Sequence, residues 1–588
     1  MSPQKTFLLI IVFIVCLITC GLWLDCGLGS CNSVHSFIQA TGIAHNDVFR
    51  PRVKPVLYDP SVGDTGVVCP VGKGTGPVSH LTDAIQPSPP SNVRWATVEN
   101  LTSAKYSDNK ICNAKKVYFL HDQLELLIQA RDGRRRLKQY GGDYFRAKIF
   151  TKNSTFSASS ATDGEVIDLG DGTYRALFTL KWPGKVNVKV TLVHPSEAVD
   201  AIRRFRDAAP ARFVYRGKFV SADGTHKEET FCNIVLSGNP PDLCNFTDKA
   251  TGSPWFCYKP KSPKLKCSDW REHRCDSGAA NRSDASLLSS HDKLTLIPKS
   301  DLPTRIQVEV RGTIRNSSEQ KSASDNATTE VINLPICTNG CNIGNLLTSG
   351  YYFRDIWYNP SCRILNFPLD EMRNCVSGKK LYFLGDSTIR QLFEFYLVRL
   401  GPGLKKTQSG PEPRWHVGPT RALDQVFNIS MMFRFHAYPI GRNSWATVKD
   451  IHYIANEVDS IVGDENSVVV ISLWSHFTHE PEWFFVQRMR TIMAAVARLR
   501  ERSPSTLVVF KGANTREHNT ANQRLYNSDW LARRMEYIIR REIAENLAFM
   551  DSWSMSSAQL IADNVHPGGS HVKNLSNQLL TFMCGRPT

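Results

Sequence analysis

The sequence lacks three features that mark common classes of protein. It has no internal repeat, which excludes a solenoid or an array of small repeats. It has no glycine-rich nucleotide-binding motif and no convincing metal-binding motif, so neither ligand is indicated. It has no second long apolar run, which excludes a multi-span carrier. What remains is a chain of 588 residues, 41% hydrophobic and 21% charged, which is long enough for several globular domains.

The one long apolar run lies at the N-terminus, over residues 7–24. These residues carry no charge and can just span a bilayer as a helix, at ~1.5 Å per residue. Lys5 precedes the run and Asp25 follows it, so the positive-inside rule places residues 1–6 in the cytosol and the rest in the lumen or outside. We therefore expect a single-pass type II membrane protein of the Golgi or secretory pathway. Cleavage as a signal peptide, giving a secreted chain, is the alternative.

Cysteines, glycosylation motifs and net charge fit such a compartment. The 16 cysteines predict disulfides, and we expect Cys584 to be bridged. Zinc at the C-x-x-x-C of Cys337 and Cys341 is the alternative, but no matched second pair follows. N-x-S/T sequons occur at Asn100, Asn153, Asn245, Asn281, Asn316, Asn326, Asn428 and Asn574. The net charge of +16 then indicates an anionic glycan or protein partner and no nucleic acid; a merely soluble basic surface is the alternative.

Composition and periodicity divide the rest of the chain into four segments. Residues 25–90 are rich in Gly, Pro and Ser, which is typical of a stem. Residues 91–220 alternate apolar and polar positions, which predicts a β-sandwich; 221–345 form a Cys-rich, glycosylated segment. Residues 346–588 have an α/β texture and predict a parallel sheet covered on both faces. Its strand candidates are 380–385, 467–474, 506–512 and 547–552, and its helix candidates are 388–400, 482–502 and 528–545.

The segment LYFLGDSTIRQ (residues 381–391) joins one of these strands to a helix through Gly385, Asp386 and Ser387. Sites in open parallel sheets form at the carboxyl ends of the strands. Gly385 permits a tight turn, and Ser387 begins a helix, where free N–H groups and the helix dipole favour an oxyanion. Alternatively, Asp386 or Ser387 is only a helix N-cap.

A second motif, IADNVHPGG, places Asp563 three residues before His566 near the end of the chain. A serine nucleophile needs a base, and an imidazole base needs an orienting carboxylate. The loops at strand ends meet in a parallel sheet, so Ser387 and His566 can touch. The two motifs together therefore predict a Ser–His–Asp site.

At this point the sequence resembles the PC-esterase branch of the SGNH/GDSL hydrolase superfamily. With an anchor and a sandwich before this region, the chain is similar to the neurexophilin and PC-esterase domain (NXPE) family over roughly residues 60–588. GYYFRDIWYNPSC, KKLYFLGDSTIRQ and DNVHPGG match motifs of that family. The resemblance implies a multidomain chain: a signal-anchor helix, an immunoglobulin-like sandwich with a Cys-rich segment, and a three-layer α/β/α SGNH-type domain. It also implies Ser387 as nucleophile, His566 as base and Asp563 as its orienter.

One part of the family pattern is altered. SGNH enzymes complete the oxyanion hole with a Gly and an Asn from separate blocks, and here His476 stands where the Asn is expected. His476 is therefore a candidate donor, with a structural histidine as the alternative. Arg390, one turn beyond Ser387, is a candidate for holding a carboxylate or phosphate, or else a surface arginine. The backbone N–H of Ser387 is the best-supported donor.

The resemblance also implies an activity, because PC-esterase relatives act on acyl, usually acetyl, esters of glycans. We expect transfer of an acetyl group through Ser387 onto a glycan hydroxyl of a glycoprotein, with sialic acid as the candidate acceptor. Acetyl-CoA is the expected donor, as a co-substrate, and no bound cofactor is expected. A glycan O-acetyl esterase with the same triad and a non-catalytic neurexophilin-like ligand are the alternatives. The sandwich is expected not to affect the chemistry.

Overall fold

The computed structural model describes residues 97–585, apart from 113, 153–158, 209–212, 281–287, 313–333, 339–349, 409–416, 442–443 and 544–546. The predicted anchor, the stem and the sequons at Asn153, Asn281, Asn316 and Asn326 lie outside the described residues. Within that range, the structure contains no helix with the length and apolar character needed to cross a membrane.

The regular elements are numbered in chain order. The strands are β1 (Asp108–Ile111), β2 (Tyr118–Phe119), β3 (Gln123–Gln129), β4 (Tyr144–Lys152), β5 (Ser159–Asp168), β6 (Thr173–Thr179), β7 (Gly184–His194), β8 (Phe213–Val220), β9 (Lys227–Asn233), β10 (Leu243–Asn245), β11 (Phe256–Tyr258), β12 (Trp270–Ala280), β13 (Ser300–Asp301), β14 (Gln307–Arg311), β15 (Tyr351–Phe353), β16 (Ile356–Tyr358), β17 (Lys380–Gly385), β18 (Lys405–Gln408), β19 (Thr420–Asp424), β20 (Ile429–Phe435), β21 (Ala446–Thr447), β22 (Ser467–Ser472), β23 (Leu507–Lys511) and β24 (Ala548–Met550). The α-helices are α1 (Ser196–Ala208), α2 (Ser290–Thr295), α3 (Leu369–Val376), α4 (Ser387–Leu400), α5 (Ile454–Ser460), α6 (Glu482–Arg502), α7 (Ala521–Tyr526), α8 (Asp529–Glu542), α9 (Ser552–Ala558) and α10 (Gly569–Cys584).

The first sheet, here called the N-terminal sheet, runs in the order β1-β3-β6-β5-β4-β7-β14-β2, with β13, β15 and β16 attached. The first half of β5 pairs with β4 and its second half with β6, so β5 joins two halves of the sheet. All pairings between the described strands of this sheet are antiparallel except that of β14 with β2, which is parallel. Side chains from both halves meet in one apolar core. The predicted alternation holds, since Phe178, Leu180 and Trp182 are buried and the residues between them are not.

A smaller middle sheet has the order β10-β11-β9-β8-β12-β21. Disulfides Cys232–Cys257 and Cys244–Cys267 lie within this region, as the cysteine density predicted. Strand β21 comes from much later in the chain than the others and pairs antiparallel with β12. The middle sheet is therefore attached directly to the C-terminal part of the chain.

The third sheet, here called the C-terminal sheet, has the order β18-β19-β20-β17-β22-β23-β24. Strands β20, β17, β22, β23 and β24 are parallel, while β18 and β19 form an antiparallel edge. The four predicted strands are present as β17, β22, β23 and β24, and the three predicted helices as α4, α6 and α8. The order places the carboxyl end of β17 between those of β20 and β22.

A disulfide between Cys375 and Cys584 closes a sequence separation of 209 residues and confirms that Cys584 is bridged. It ties the last residue of α10 to α3. Replacing both cysteines by alanine is expected to lower the free energy of unfolding by ~2–5 kcal/mol, because the unfolded chain regains the freedom of a long loop. Denaturant unfolding of the two proteins measures the difference. Equal midpoints would show that α10 is held without the bridge.

Candidate active site

The turn after β17 allows only glycine at position 385. Gly385 has a φ of +150°, and a Cβ on it would lie 1.7 Å from the carbonyl oxygen of Ser472. This close approach lets the chain leave the sheet beside β22 and begin α4 at Ser387. Ser387 is thereby presented at the carboxyl end of the parallel strands, as predicted from the sequence.

Asp386 is the N-cap of α4 and also holds the loop after β22. One carboxylate oxygen accepts the N–H of Thr388 at 2.8 Å, and the other accepts the N–H groups of Trp474 and Ser475 at 3.0 and 2.9 Å. The side chain is fully buried. Desolvation alone would raise the pKa of Asp386, but the neighbouring His476 and these N–H donors hold it below the ordinary value. Asp386 is thus a structural anion that fixes two strand-end loops together.

Ser387 and His566 meet, although 179 residues separate them in the chain. Nε2 of His566 lies 2.8 Å from Oγ of Ser387, which is within reach for proton transfer. His566 is exposed as a residue. The two side chains that the sequence motifs single out therefore lie within hydrogen-bonding distance of each other.

Three side chains hold the loop that carries His566. Nδ2 of the buried Asn514, in the loop after β23, donates to the carbonyls of Asn564 and Val565 at 3.2 Å. Glu517 accepts the N–H of Val565 at 2.8 Å, and Gln391 on α4 donates to the carbonyl of Pro567 at 2.7 Å. The base is thus fixed to the C-terminal sheet and to the nucleophile's own helix.

Asp563 does not make the contact expected of it. Its carboxylate forms two hydrogen bonds of 3.1 Å with the guanidinium of Arg146 and is bonded to Lys299. Among the described residues no hydrogen bond joins Asp563 to His566. Desolvation would raise the pKa of Asp563, but the two cations outweigh it and hold the pKa well below the ordinary value. In the described structure the carboxylate of Asp563 therefore pairs with these two cations and not with the imidazole.

His476, the candidate oxyanion donor, lies in the loop after β22 and has one ring nitrogen engaged by the backbone. Its Nδ1 accepts the N–H of Gly441 at 2.8 Å, so a neutral ring carries its proton on Nε2. Burial lowers the pKa of His476 to about 4, which keeps the ring neutral near pH 7. The part of the chain that the structure describes provides no hydrogen-bond partner for Nε2. Charge on His566 also lowers the pKa of His476.

Two guanidinium groups lie near the imidazoles. Arg390 forms an ion pair with Glu394 at 3.2 Å, and Arg516 is buried with NH1 donating to the carbonyl of Ser475 at 3.2 Å. Both arginines lower the pKa of His566 and of His476. Positive charge from these two arginines therefore lies near the imidazoles, together with the carboxylates of Asp386 and Glu517, which act in the opposite direction on the pKa of His566.

The pKa of His566 is lowered to about 4, first by desolvation of the imidazole and then by Arg390, although the residue as a whole is exposed. Only the neutral ring accepts the serine proton, so activity is lost as the pH falls through this value. We expect the rate of fluorophosphonate labelling of Ser387 to have its midpoint near pH 4, well below the ~6.5 of an ordinary histidine. Intrinsic fluorescence at each pH tests that the protein stays folded. A midpoint at or above ~6.5 would contradict the lowered pKa.

The four described sequons differ in accessibility. Asn245 and Asn428 are exposed, and Asn100 is half-buried with its Oδ1 accepting from Arg136 at 2.9 Å. Asn574 is buried, and its Nδ2 donates to the carbonyls of Asp355 and Ser570 at 2.9 Å. A glycan on that buried nitrogen would break both hydrogen bonds, so the described fold argues against glycosylation at Asn574.

Sequence reasoning missed several residues around the site. Asn514 and Arg516 could have been found, because they follow the buried strand β23 at its carboxyl end. Lys511, also on β23, is buried below the turn, and its Nζ donates to Thr388 Oγ1 at 3.4 Å. No sequence pattern pointed to Arg146 or Lys299, since both come from parts of the chain far from the two motifs. Among the residues described, no group of three or more His, Cys, Asp or Glu side chains could hold a metal ion.

Two family models match the chain in succession. A model described as Neurexophilin matches residues 86–278, which include most of the N-terminal sheet and the middle sheet up to β12. A model described as NXPE family member 4-like, C-terminal domain, matches residues 357–584, which include Ser387, Asp563 and His566. On these matches the chain belongs to the NXPE family.

Proposed function

We propose that this protein is a serine-dependent O-acyltransferase that moves an acetyl group onto a glycan hydroxyl. The observation that carries the proposal is the 2.8 Å approach of His566 Nε2 to Ser387 Oγ at the start of α4. A serine hydroxyl becomes a useful nucleophile only beside such a base. The parallel strands of the C-terminal sheet support a three-layer SGNH-type domain, and the two joined halves of the N-terminal sheet support an immunoglobulin-like sandwich.

The reaction would proceed through an acyl-enzyme. Oγ of Ser387 attacks the acetyl carbonyl of the donor while His566 takes the serine proton. The tetrahedral intermediate collapses as His566 returns this proton to the leaving group, which for acetyl-CoA is the thiol. The acceptor hydroxyl then gives its proton to His566 as it attacks the acetyl-serine, and Ser387 leaves with that proton restored.

Two donors would stabilise the oxyanion. The N–H of Ser387 lies in the first turn of α4, where no carbonyl of the helix can accept it. The second donor would be Nε2–H of His476, whose proton is fixed there by the bond from Gly441 to Nδ1. Removing one such donor typically costs on the order of 10²–10³-fold in rate.

The proposed acceptor is a sialylated glycoprotein. The guanidinium groups of Arg390 and Arg516 lie close enough to lower the pKa of both imidazoles, and the same charges would attract the carboxylate of sialic acid. The net charge of +16 acts in the same direction at longer range. The N-terminal apolar run supports a type II membrane protein of the Golgi or secretory pathway, where such glycans are assembled.

The experiment is an acetyl-transfer assay with the purified ectodomain. It is incubated with acetyl-CoA and a sialylated glycoprotein, and the acetylated fraction of the released sialic acids is measured by mass spectrometry. We expect acetylation by the wild type and none by Ser387→Ala. The same glycoprotein after sialidase treatment is the matched acceptor control. Equal acetylation by wild type and Ser387→Ala would refute the proposal.

Hydrolysis of O-acetylated glycans is the second candidate, and the exposure of His566 favours it. Because the base is open to solvent, water can reach the acyl-enzyme as well as a sugar hydroxyl. Loss of acetyl groups from a pre-acetylated glycoprotein, with no transfer from acetyl-CoA, would identify this activity. The Ser387→Ala protein again serves as the blank.

A further inference from the structure

The loop that carries the base is also held from the N-terminal sheet. Arg146, on β4, makes the two parallel 3.1 Å bonds to the carboxylate of Asp563, three residues before His566. A bidentate arginine–carboxylate pair fixes direction as well as distance. The side chains of Arg146 and Asp563 are only 11% and 14% exposed, so solvent screens this pair weakly.

Arg146 is itself fixed in place. Its NH1 also bonds Asp529, the first residue of α8, whose side chain is completely buried. Asp529 in turn accepts the N–H of Arg516 at 2.8 Å, in the loop after β23. A second residue of the same strand, Lys148, bonds the carbonyl of Gln559 shortly before the loop. Strand β4 therefore contacts the C-terminal part of the chain at Asp529, Gln559 and Asp563.

Lys299 adds a second cation from another part of the chain. Its Nζ bonds Asp563 and donates to the carbonyl of Arg516 at 3.3 Å. Lys299 lies next to β13, which pairs with β7 of the N-terminal sheet. Two elements of the N-terminal sheet thus converge on one carboxylate at the edge of the site.

We propose that Arg146 and Lys299 are positioning residues that align His566 with Ser387 by holding Asp563. These two residues of the N-terminal region then help to align the base, contrary to the expectation from the sequence, and the C-terminal domain alone would have a misaligned base. This inference rests on the proposed serine chemistry. It makes Asp563 an anchor of the loop, where the family resemblance makes it the orienter of the imidazole.

The two roles of Asp563 predict opposite effects of removing Arg146. If the carboxylate served the imidazole and Arg146 merely competed for it, Arg146→Gln would leave the reactivity of Ser387 equal or higher. If Arg146 positions the loop, the same change lets His566 drift. A displacement of ~1 Å costs on the order of 10²-fold in rate.

The test is a double-mutant cycle read by the rate at which a fluorophosphonate probe labels Ser387 in the whole ectodomain. We expect a loss of ~10²-fold for Arg146→Gln, about the same for Asp563→Asn, and no further loss in the double variant, because both changes break one contact. Arg146→Lys should recover part of the rate. Lys299→Gln, at a more exposed position, should lower the labelling rate ~10-fold. This variant provides the same test if Arg146→Gln fails to fold.

The matched control is Arg175→Gln, which breaks an ion pair with Glu125 elsewhere in the N-terminal sheet and should label like the wild type. The pH profile gives a second readout, because a merely structural defect lowers the labelled fraction without moving the midpoint. Loss of a cation beside Asp563 leaves the negative charge of that carboxylate uncompensated, so the midpoint of the pH profile should move to higher pH. If the wild type is labelled and both Arg146→Gln and Lys299→Gln are labelled at the same rate, this inference is wrong and the proposed function still stands. An unlabelled wild type would overturn the proposed function and this inference with it.

Discussion

Replacing His566 by alanine is expected to slow fluorophosphonate labelling of Ser387 by on the order of 10⁶-fold. Removing the base from a serine hydrolase lowers the rate about as much as removing the nucleophile, base and carboxylate together, since these residues act as one unit. Labelling requires the Ser387 proton to leave as the new P–O bond forms and fluoride departs, and Nε2 of His566 is 2.8 Å from the oxygen that carries it. The rate is measured by in-gel fluorescence over time.

The control for this change is His226→Ala, at an exposed turn residue outside the site. It should label like the wild type. Ser387→Ala should not label at all, which identifies the modified atom. Because His566 is exposed, its replacement should leave the thermal unfolding midpoint nearly unchanged. A His566→Ala protein that labels at the wild-type rate would mean that Ser387 is not activated by this histidine.

Replacing Gly385 by alanine is expected to prevent assembly of the site and to cost at least ~4 kcal/mol of folding free energy. The added Cβ would lie 1.7 Å from the carbonyl oxygen of Ser472, a backbone atom of β22, which pairs with β17. Neither strand can shift without breaking the ladder between β17 and β22. Strain of this size is exceptional for a single substitution. Yield of folded protein, thermal unfolding and labelling of Ser387 all report it.

Gly569→Ala is the matched glycine control. Gly569 begins α10 just after the His566 loop, and a Cβ there would meet nothing within 4 Å. Alanine is a better helix former than glycine, so the free energy of unfolding should change by no more than about 1 kcal/mol. Comparable damage from both substitutions would show that the turn after β17 has no special requirement for glycine.

The amino-acid sequence by itself determined the local pieces of this site. Continuous apolar runs identified β17, β22, β23 and β24, because strands buried on both faces of a parallel sheet need apolar side chains at every position. The junction of such a strand with a helix located Ser387, and the D-x-x-H motif located His566. Because the loops at the carboxyl ends of parallel strands meet, Ser387 and His566 were expected to lie close together. In the structure, Oγ of Ser387 and Nε2 of His566 are 2.8 Å apart.

Only the tertiary structure decided which partners these residues have. Strands β18–β20 were not predicted, although β20 pairs directly with β17. Asp563 was assigned to His566 because three residues separate them, yet its carboxylate faces Arg146 and Lys299, which lie 417 and 264 residues away in the chain. The spacing of a motif shows only which residues are close along the chain. The cations with which a carboxylate pairs depend on the charged groups that the tertiary fold places around it. Folding places the cations of the N-terminal sheet against this loop, and no local pattern records that contact.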